Sequence, residues 1–281
     1  MNDFLFQRLV CPISKKAMTM EDDGFYSASC GLQYRTNDFR VGLEFSSEWR
    51  DGQVEYEEVE KKWLNIVNNT EQLKNLDNET ADIYHSIKMD GDILDVGGAY
   101  GFVIKQAGLD PDRYISVDPI DMSWNRLERY KNIREHYSIC QNAARVQGFA
   151  EFLPFSDASF DYVHMRSCID HFANPKLALI EAFRVLRPGG RLVVGISLEG
   201  SYKKNKTGLK ASIKRLSSKS ALLRHAIELI SHDHHMFHPT RDTLVNLINK
   251  NGFVVEKEIM QGAYHNVIYV EAVRLREVQV S

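Results

Sequence analysis

The sequence predicts an α/β fold, and three observations carry the prediction. Short apolar runs recur at Asp92–Gly97, Tyr114–Pro119, Phe160–Met165 and Arg191–Ile196. Alternation of such runs with helical spacing reads as a parallel sheet covered on both faces. A glycine-rich turn, Gly97-Gly98-Ala99-Tyr100-Gly101, follows the first run and opens a helix. The last two runs, Phe253–Glu256 and Val267–Glu271, have no helix between them, so they pair as an antiparallel hairpin at the sheet edge.

The elements follow in order. Residues 1–45 read as a small β-rich module, with strands at Gly24–Ser27 and Leu32–Arg35 and a turn at Gly31. Residues 46–90 read as a helical linker or cover, with Val59, Trp63, Ile66 and Val67 on one stripe. Residues 91–281 form the main domain. One helix there begins near Pro175, carries Leu177, Ile180, Phe183 and Leu186 as its stripe, and stops at Pro188-Gly189-Gly190. Another runs from Thr240 to Lys250 and ends before Gly252.

Composition bounds the function. The 281 residues are 43% hydrophobic with a net charge of −3. At roughly 150 residues per domain that is about two domains, or one with appendages. No apolar run reaches the length of ~18 residues that a membrane span needs. Met1–Leu5 has neither a basic start nor an apolar run, so no signal peptide is expected. Four cysteines without one indicate a reducing cytoplasm. The slight acidity disfavours a nucleic-acid partner, because such domains are usually strongly basic.

The glycine turn is the first chemical signal. Small residues let the backbone approach a ligand, and the free N–H groups of the helix start face it. Asp118, at the end of the next strand, can accept hydrogen bonds from both hydroxyls of a ribose. The turn is not G-x-G-x-x-G, which disfavours a dinucleotide, and no phosphate-loop motif occurs.

Four motifs stand in order: Asp95–Gly101; Val117-Asp118-Pro119; Gly148–Asp161, which contains Ala150-Glu151; and Ala182–Gly190. Together they resemble the class I S-adenosylmethionine-dependent methyltransferases of the ubiquinone/menaquinone-biosynthesis-like branch, over about residues 85–275. The resemblance implies a Rossmann-like, mostly parallel seven-stranded sheet with an antiparallel edge strand. It implies S-adenosyl-L-methionine as cofactor, with Asp95, Gly97, Gly98, Ala99 and Gly101 around its methionine part. Asp118 and Pro119 would meet the ribose, and Ile120 the adenine. Phe149 stands where the family usually has an aspartate, so adenine is met by Phe149 packing or by the backbone of Ala150 or Glu151. Met165 and Arg166, after the fourth main-domain strand, would border the sulfonium.

Cys11-Pro12-Ile13-Ser14 and Ser27-Ala28-Ser29-Cys30 have zinc-ribbon spacing with two of four cysteines replaced by serine. Serine hydroxyls are poor zinc ligands, so a ribbon-like module without metal is expected. It resembles the small domain that precedes many such methyltransferases, and it can shape a substrate entrance or a homodimer contact.

Methyl transfer to a hydroxyl needs a base, and histidine suits that role near neutrality. His171 follows the fourth main-domain run and is the first candidate. His234 and His235, in the run His232–His238, are alternatives, as pocket lining rather than metal ligands. Residues 199–231 form a basic helical cap. Within it Lys203, Lys204, Lys206, Lys210, Lys214, Arg215, Lys219 and Arg224 lie in a stretch without acidic residues. The cap favours a small or glycan/lipid-linked anionic acceptor, with peripheral membrane contact open to it. The expected function is thus O-methylation by a cytoplasmic enzyme. The alternatives are a non-catalytic cofactor-binding partner subunit and an RNA methyltransferase.

Overall fold

The structure, a computed structural model, describes residues 3–41, 47–198, 236–261 and 267–275. Seven strands form the main sheet: β4 (Ile93–Val96), β5 (Tyr114–Asp118), β6 (Ala144–Gln147), β7 (Phe160–Arg166), β8 (Leu186–Ser197), β9 (Phe253–Met260) and β10 (Val267–Arg274). Their order is β6-β5-β4-β7-β8-β10-β9. β6 through β8 are parallel, and β10 runs antiparallel to both β8 and β9. Every residue of β4 and β5 is buried, as a sheet covered on both faces requires. Local pattern did not mark β6, because Arg145 and Gln147 interrupt its apolar residues. Only Ala144 and Val146 are buried there.

The chain leaves β4 toward β5 on one side and reaches β7 on the other. That is a topological switch point, and a crevice opens beyond the carboxyl ends of these strands. The helix α6 (Pro175–Val185) crosses between β7 and β8; Asn174 caps it by accepting from Leu177 N–H at 3.1 Å. It ends before Pro188, and Pro188-Gly189-Gly190 belong to the start of β8. The helix α7 (Arg241–Lys250), capped by Thr240, precedes β9. Two short helices, α4 (Val103–Ala107) and α5 (Lys131–His136), flank β5.

Two long helices precede the sheet: α2 (Ser47–Val67) and α3 (Thr70–Ile87), joined at the Asn69 N-cap. The predicted α2 stripe is corrected. Val67 is buried, but Val59 and Ile66 are 51% and 66% exposed. The buried face instead carries Glu60, Leu64 and Val67. Glu60 is drawn inward because Tyr100 donates to it at 2.5 Å and Arg126 pairs with it at 3.2 Å. That rotates Val59 and Trp63 onto the wall of a cavity.

The amino-terminal module begins with α1 (Asp3–Phe6) and carries an antiparallel sheet of β1 (Thr19–Glu21), β2 (Gly24–Ser27) and β3 (Leu32–Arg35). It covers the open edge of β6: Phe39 N–H donates to Gln147 O, and Gln147 N–H to Asn37 O, both at 2.7 Å. Leu5, Phe25, Tyr34 and Phe39 join the same core cluster as Leu153 and Phe155. At the ribbon-spaced positions, the Cys11 and Cys30 sulfurs lie 3.4 Å apart and Ser27 accepts from Cys30 at 3.2 Å. Among the described residues, no group of three or more His, Cys, Asp or Glu side chains is placed to hold a metal, and no helix is long and apolar enough to cross a membrane. The basic cap, His234 and His235 lie outside the described residues.

Asp92, one residue before β4, ties the module to the sheet. Arg8 and Arg113 each reach it at 2.7 Å, and Arg187 at 2.8 Å. Burial alone would raise its pKa, but the three guanidiniums outweigh burial and lower it. A depressed carboxylate pKa stabilises the fold above its unfolded value and loses that contribution as pH falls through the folded one. Asp92→Asn should therefore cost about 2 kcal/mol in urea unfolding at pH 7, and the gap to wild type should shrink toward pH 3.

Candidate active site

The crevice holds two adjoining cavities. The outer one, about 130 Å³, is lined by Val117, Asp118, Pro119, Phe149, Ala150 and Glu151, with Trp49, Gln53 and Tyr56 of α2 closing it. The inner one, about 550 Å³, reaches over Gly97, Gly98 and Ala99 between α2 and α4. Tyr56, Gly97, Arg166, Ser167 and His171 line both, so the two meet at these residues.

The turn after β4 is shaped by sterics. Gly97 has φ +69°, and a Cβ there would lie 2.5 Å from the Cβ of Cys168. A Cβ on Gly98 would lie 2.5 Å from the Asp95 carboxyl carbon. Asp95 is buried beneath the turn, and both its oxygens are used. Oδ1 meets His164 Nδ1 at 2.7 Å, and Oδ2 accepts from the Tyr114 hydroxyl. His164 Nε2 in turn meets the Tyr84 hydroxyl at 3.2 Å. Two non-glycine residues facing the cavities also have positive φ: Ala99 at +45° and Ser167 at +52°. Backbone strain of this kind gathers at functional sites.

Asp118 is buried on the outer cavity. Ile120 N–H donates to its Oδ1 at 3.0 Å. Burial pushes its pKa up to about 7, against the downward pull of the Ile120 and Ala99 N–H groups. No cation among the described residues pairs with it within 4 Å. Phe149 packs edge-on against Trp49, with centroids 5.3 Å apart. Glu151 accepts from Asn174 N–H at 3.0 Å, and burial raises its pKa. His171 faces Tyr56 with ring centroids 5.9 Å apart, and its carbonyl accepts from Trp49 Nε1 at 3.2 Å.

The structure thus brings together Asp95, Gly97, Gly98, Ala99, Asp118, Pro119, Phe149, Ala150, Glu151 and His171. Gly101 stands behind the turn, at φ +78° against Tyr114. Ile120 lines neither cavity and faces a separate depression beside Met122 and Trp124. Met165 is corrected: it is fully buried in the core. Strand alternation places His164 and Arg166 on the face opposite to it, and Arg166 is the strand residue that reaches both cavities. Sequence reading placed Arg166 beside Met165 at the sulfonium, but missed Ser167 and the aromatic cover from α2.

These residues fit S-adenosylmethionine on their own chemistry. A backbone cradle that a Cβ would fill lies beside a buried carboxylate with no cation, which calls for hydroxyl donors. An aromatic wall adjoins both.

Comparison with known proteins agrees. Residues 94–194 match the family described as "Methyltransferase domain". The chain is 31% identical over 172 residues to a Roseobacter denitrificans ubiquinone/menaquinone biosynthesis C-methyltransferase, covering 57% of this chain and 65% of that protein, just under two thirds of its length. It is 27% identical over 188 residues to the corresponding protein of Saccharophagus degradans, covering 62% of this chain and 69% of that one. An S-adenosylmethionine-dependent methyltransferase structure from Thermotoga maritima aligns with TM-score 0.53 at 18% identity, over 81% of this chain and 99% of that chain, and shows the shared fold.

The carboxyl of Asp118 should titrate near pH 7 in a carbon-detected NMR titration, far above an exposed aspartate. Gly97→Ala should destabilise the fold by about 2 kcal/mol or more in urea unfolding. Residues 94–194 therefore match a methyltransferase domain, and the crevice beside them fits S-adenosylmethionine.

Proposed function

We propose that the protein transfers a methyl group from S-adenosylmethionine to a hydroxyl of a small anionic or glycan/lipid-linked acceptor. The observation that carries this reading is the position of His171 where the two cavities meet. When bound, the cofactor supplies a methyl group on a positively charged sulfur. Every other contribution comes from the protein. In this reading Asp118 accepts from ribose hydroxyls in the outer cavity, and Phe149 and Ala150 flank the base. The Gly97–Ala99 turn lets the methionine tail lie against the backbone.

The inner cavity is the larger and is walled by Val59, Trp63, Tyr100 and Phe102, so it suits the acceptor. Displacement at a methyl group needs the nucleophile in line, and most of the rate gain comes from holding it there. The His171 ring, at the junction, takes the hydroxyl proton as the new bond forms. Tyr56 does not compete for that role, because burial raises its pKa far above neutrality. The aromatic cover of α2 excludes water, the rival nucleophile.

The printed name of the two relatives, a C-methyltransferase, supports a second reading in which the methylated atom is carbon. The same histidine then removes a proton from a ring carbon or its hydroxyl. A partner-subunit or RNA role gains nothing from this geometry.

Two outcomes test the proposal. Binding of S-adenosylhomocysteine should strengthen from pH 6 to pH 8 as Asp118 ionises. Asp118→Asn should flatten that dependence and weaken binding at least tenfold, about 1.4 kcal/mol; calorimetry on both proteins checks it. His171→Ala should leave that binding within twofold while cutting turnover with an acceptor found by screening by about 10²-fold or more. An unchanged turnover would move the base elsewhere.

A further inference from the structure

The charged groups on the inner cavity are Glu60, Asp95, His164, Arg166 and His171. Glu60 has Arg126 and the Tyr100 hydroxyl. Asp95 and His164 hold each other, with Tyr114 and Tyr84 filling their remaining positions. Arg166 differs. Its Nη1 donates to Gln106 Oε1 at 3.0 Å, and it also meets the Tyr84 hydroxyl. Neither partner is a carboxylate, and among the described residues no acid lies within 4 Å of its guanidinium. The side chain is packed among Tyr84, Tyr269 and Gln106, yet it keeps accessible surface, and it lines both cavities.

A cation withdrawn from bulk water without an ionic partner is costly to keep. Asp95 lies near enough to influence it, but its oxygens are already committed. Gln106 and Tyr84 orient the guanidinium, and neither brings a carboxylate to pair with it. The planar fork of arginine matches a carboxylate, which it binds with two parallel hydrogen bonds. With one such cation on a largely aromatic cavity, the fitting ligand group is a monoanion on an organic body rather than a phosphate dianion.

We propose that Arg166 is the carboxylate anchor of the inner cavity. This rests on the reading that the cavity receives cofactor and acceptor. The carboxylate comes either from the methionine tail of the cofactor, since Gly97 and Gly98 line the same space, or from the acceptor. Arg166 is then a specificity-determining residue at the end of β7.

The experiment compares wild type, Arg166→Met and Arg166→Lys by calorimetry. The probes are S-adenosylhomocysteine, 5′-methylthioadenosine, which lacks the amino-acid tail, and benzoate against benzamide on S-adenosylhomocysteine-saturated protein. Thermal melts confirm that both variants fold. If the cofactor supplies the carboxylate, Arg166→Met weakens S-adenosylhomocysteine at least tenfold and leaves 5′-methylthioadenosine unchanged, and Arg166→Lys recovers part of the loss. If the acceptor supplies it, S-adenosylhomocysteine is unchanged, while wild type binds benzoate over benzamide and Arg166→Met loses that preference. Equal losses for both nucleosides, or no loss on any probe, overturn the proposal. Failure of the wild type to bind either nucleoside instead overturns the cofactor-site reading beneath it.

Discussion

The buried carboxylate of Asp95 is the constraint on which the site depends. It sits at the end of β4 with one oxygen held from β5 by Tyr114 and the other from β7 by His164. The three strands that meet at the switch point are thus joined by one side chain. Such a carboxylate is costly to bury, and the cost is met only when every acceptor is used. The turn above is built on it: Gly98 passes so close to the carboxyl group that no side chain fits, and Gly97 N–H is tied to Val117 O at 2.8 Å. A bare backbone surface at the head of the crevice is the result.

The rest of the molecule encloses that surface. α2 brings Trp49, Gln53 and Tyr56 over the outer cavity and Val59 and Trp63 over the inner one. Its orientation is set by Glu60, which Tyr100 and Arg126 hold from the body of the domain. The amino-terminal module acts at the opposite side, covering the β6 edge and knotting Arg8 to Asp92. One end of the sheet is therefore locked by charge, while the other is left open to ligands under an aromatic lid.

Much of this was legible in the sequence, for identifiable reasons. β4 and β5 are buried along their whole length and β7 and β8 over their centres, so each carries a recognisable apolar run. β6 was hidden because one face carries Arg145 and Gln147. The glycine turn and Asp118 were legible because their chemistry needs those residue types. Met165 and Arg166 were placed together because the resemblance supplied a position but not the side of the strand, and alternation turns only Arg166 toward the cavities. The α2 stripe failed because helical spacing alone cannot show that a glutamate has two buried partners waiting for it. His171 and Arg166 were found because they lie at or just after the end of the strand that reaches the cavity, whereas the partners of Arg166 were hidden because they come from α3, α4 and β10.

The roles of Asp118, Phe149 and His171 all depend on where the cofactor lies. A crystal structure of the protein grown with S-adenosylhomocysteine tests this most directly. The expected result is ribose hydroxyls within hydrogen-bond distance of Asp118, the base beside Phe149, and the sulfur over Gly97 facing His171. A ligand bound elsewhere, or the base seated in the depression beside Ile120, would contradict it.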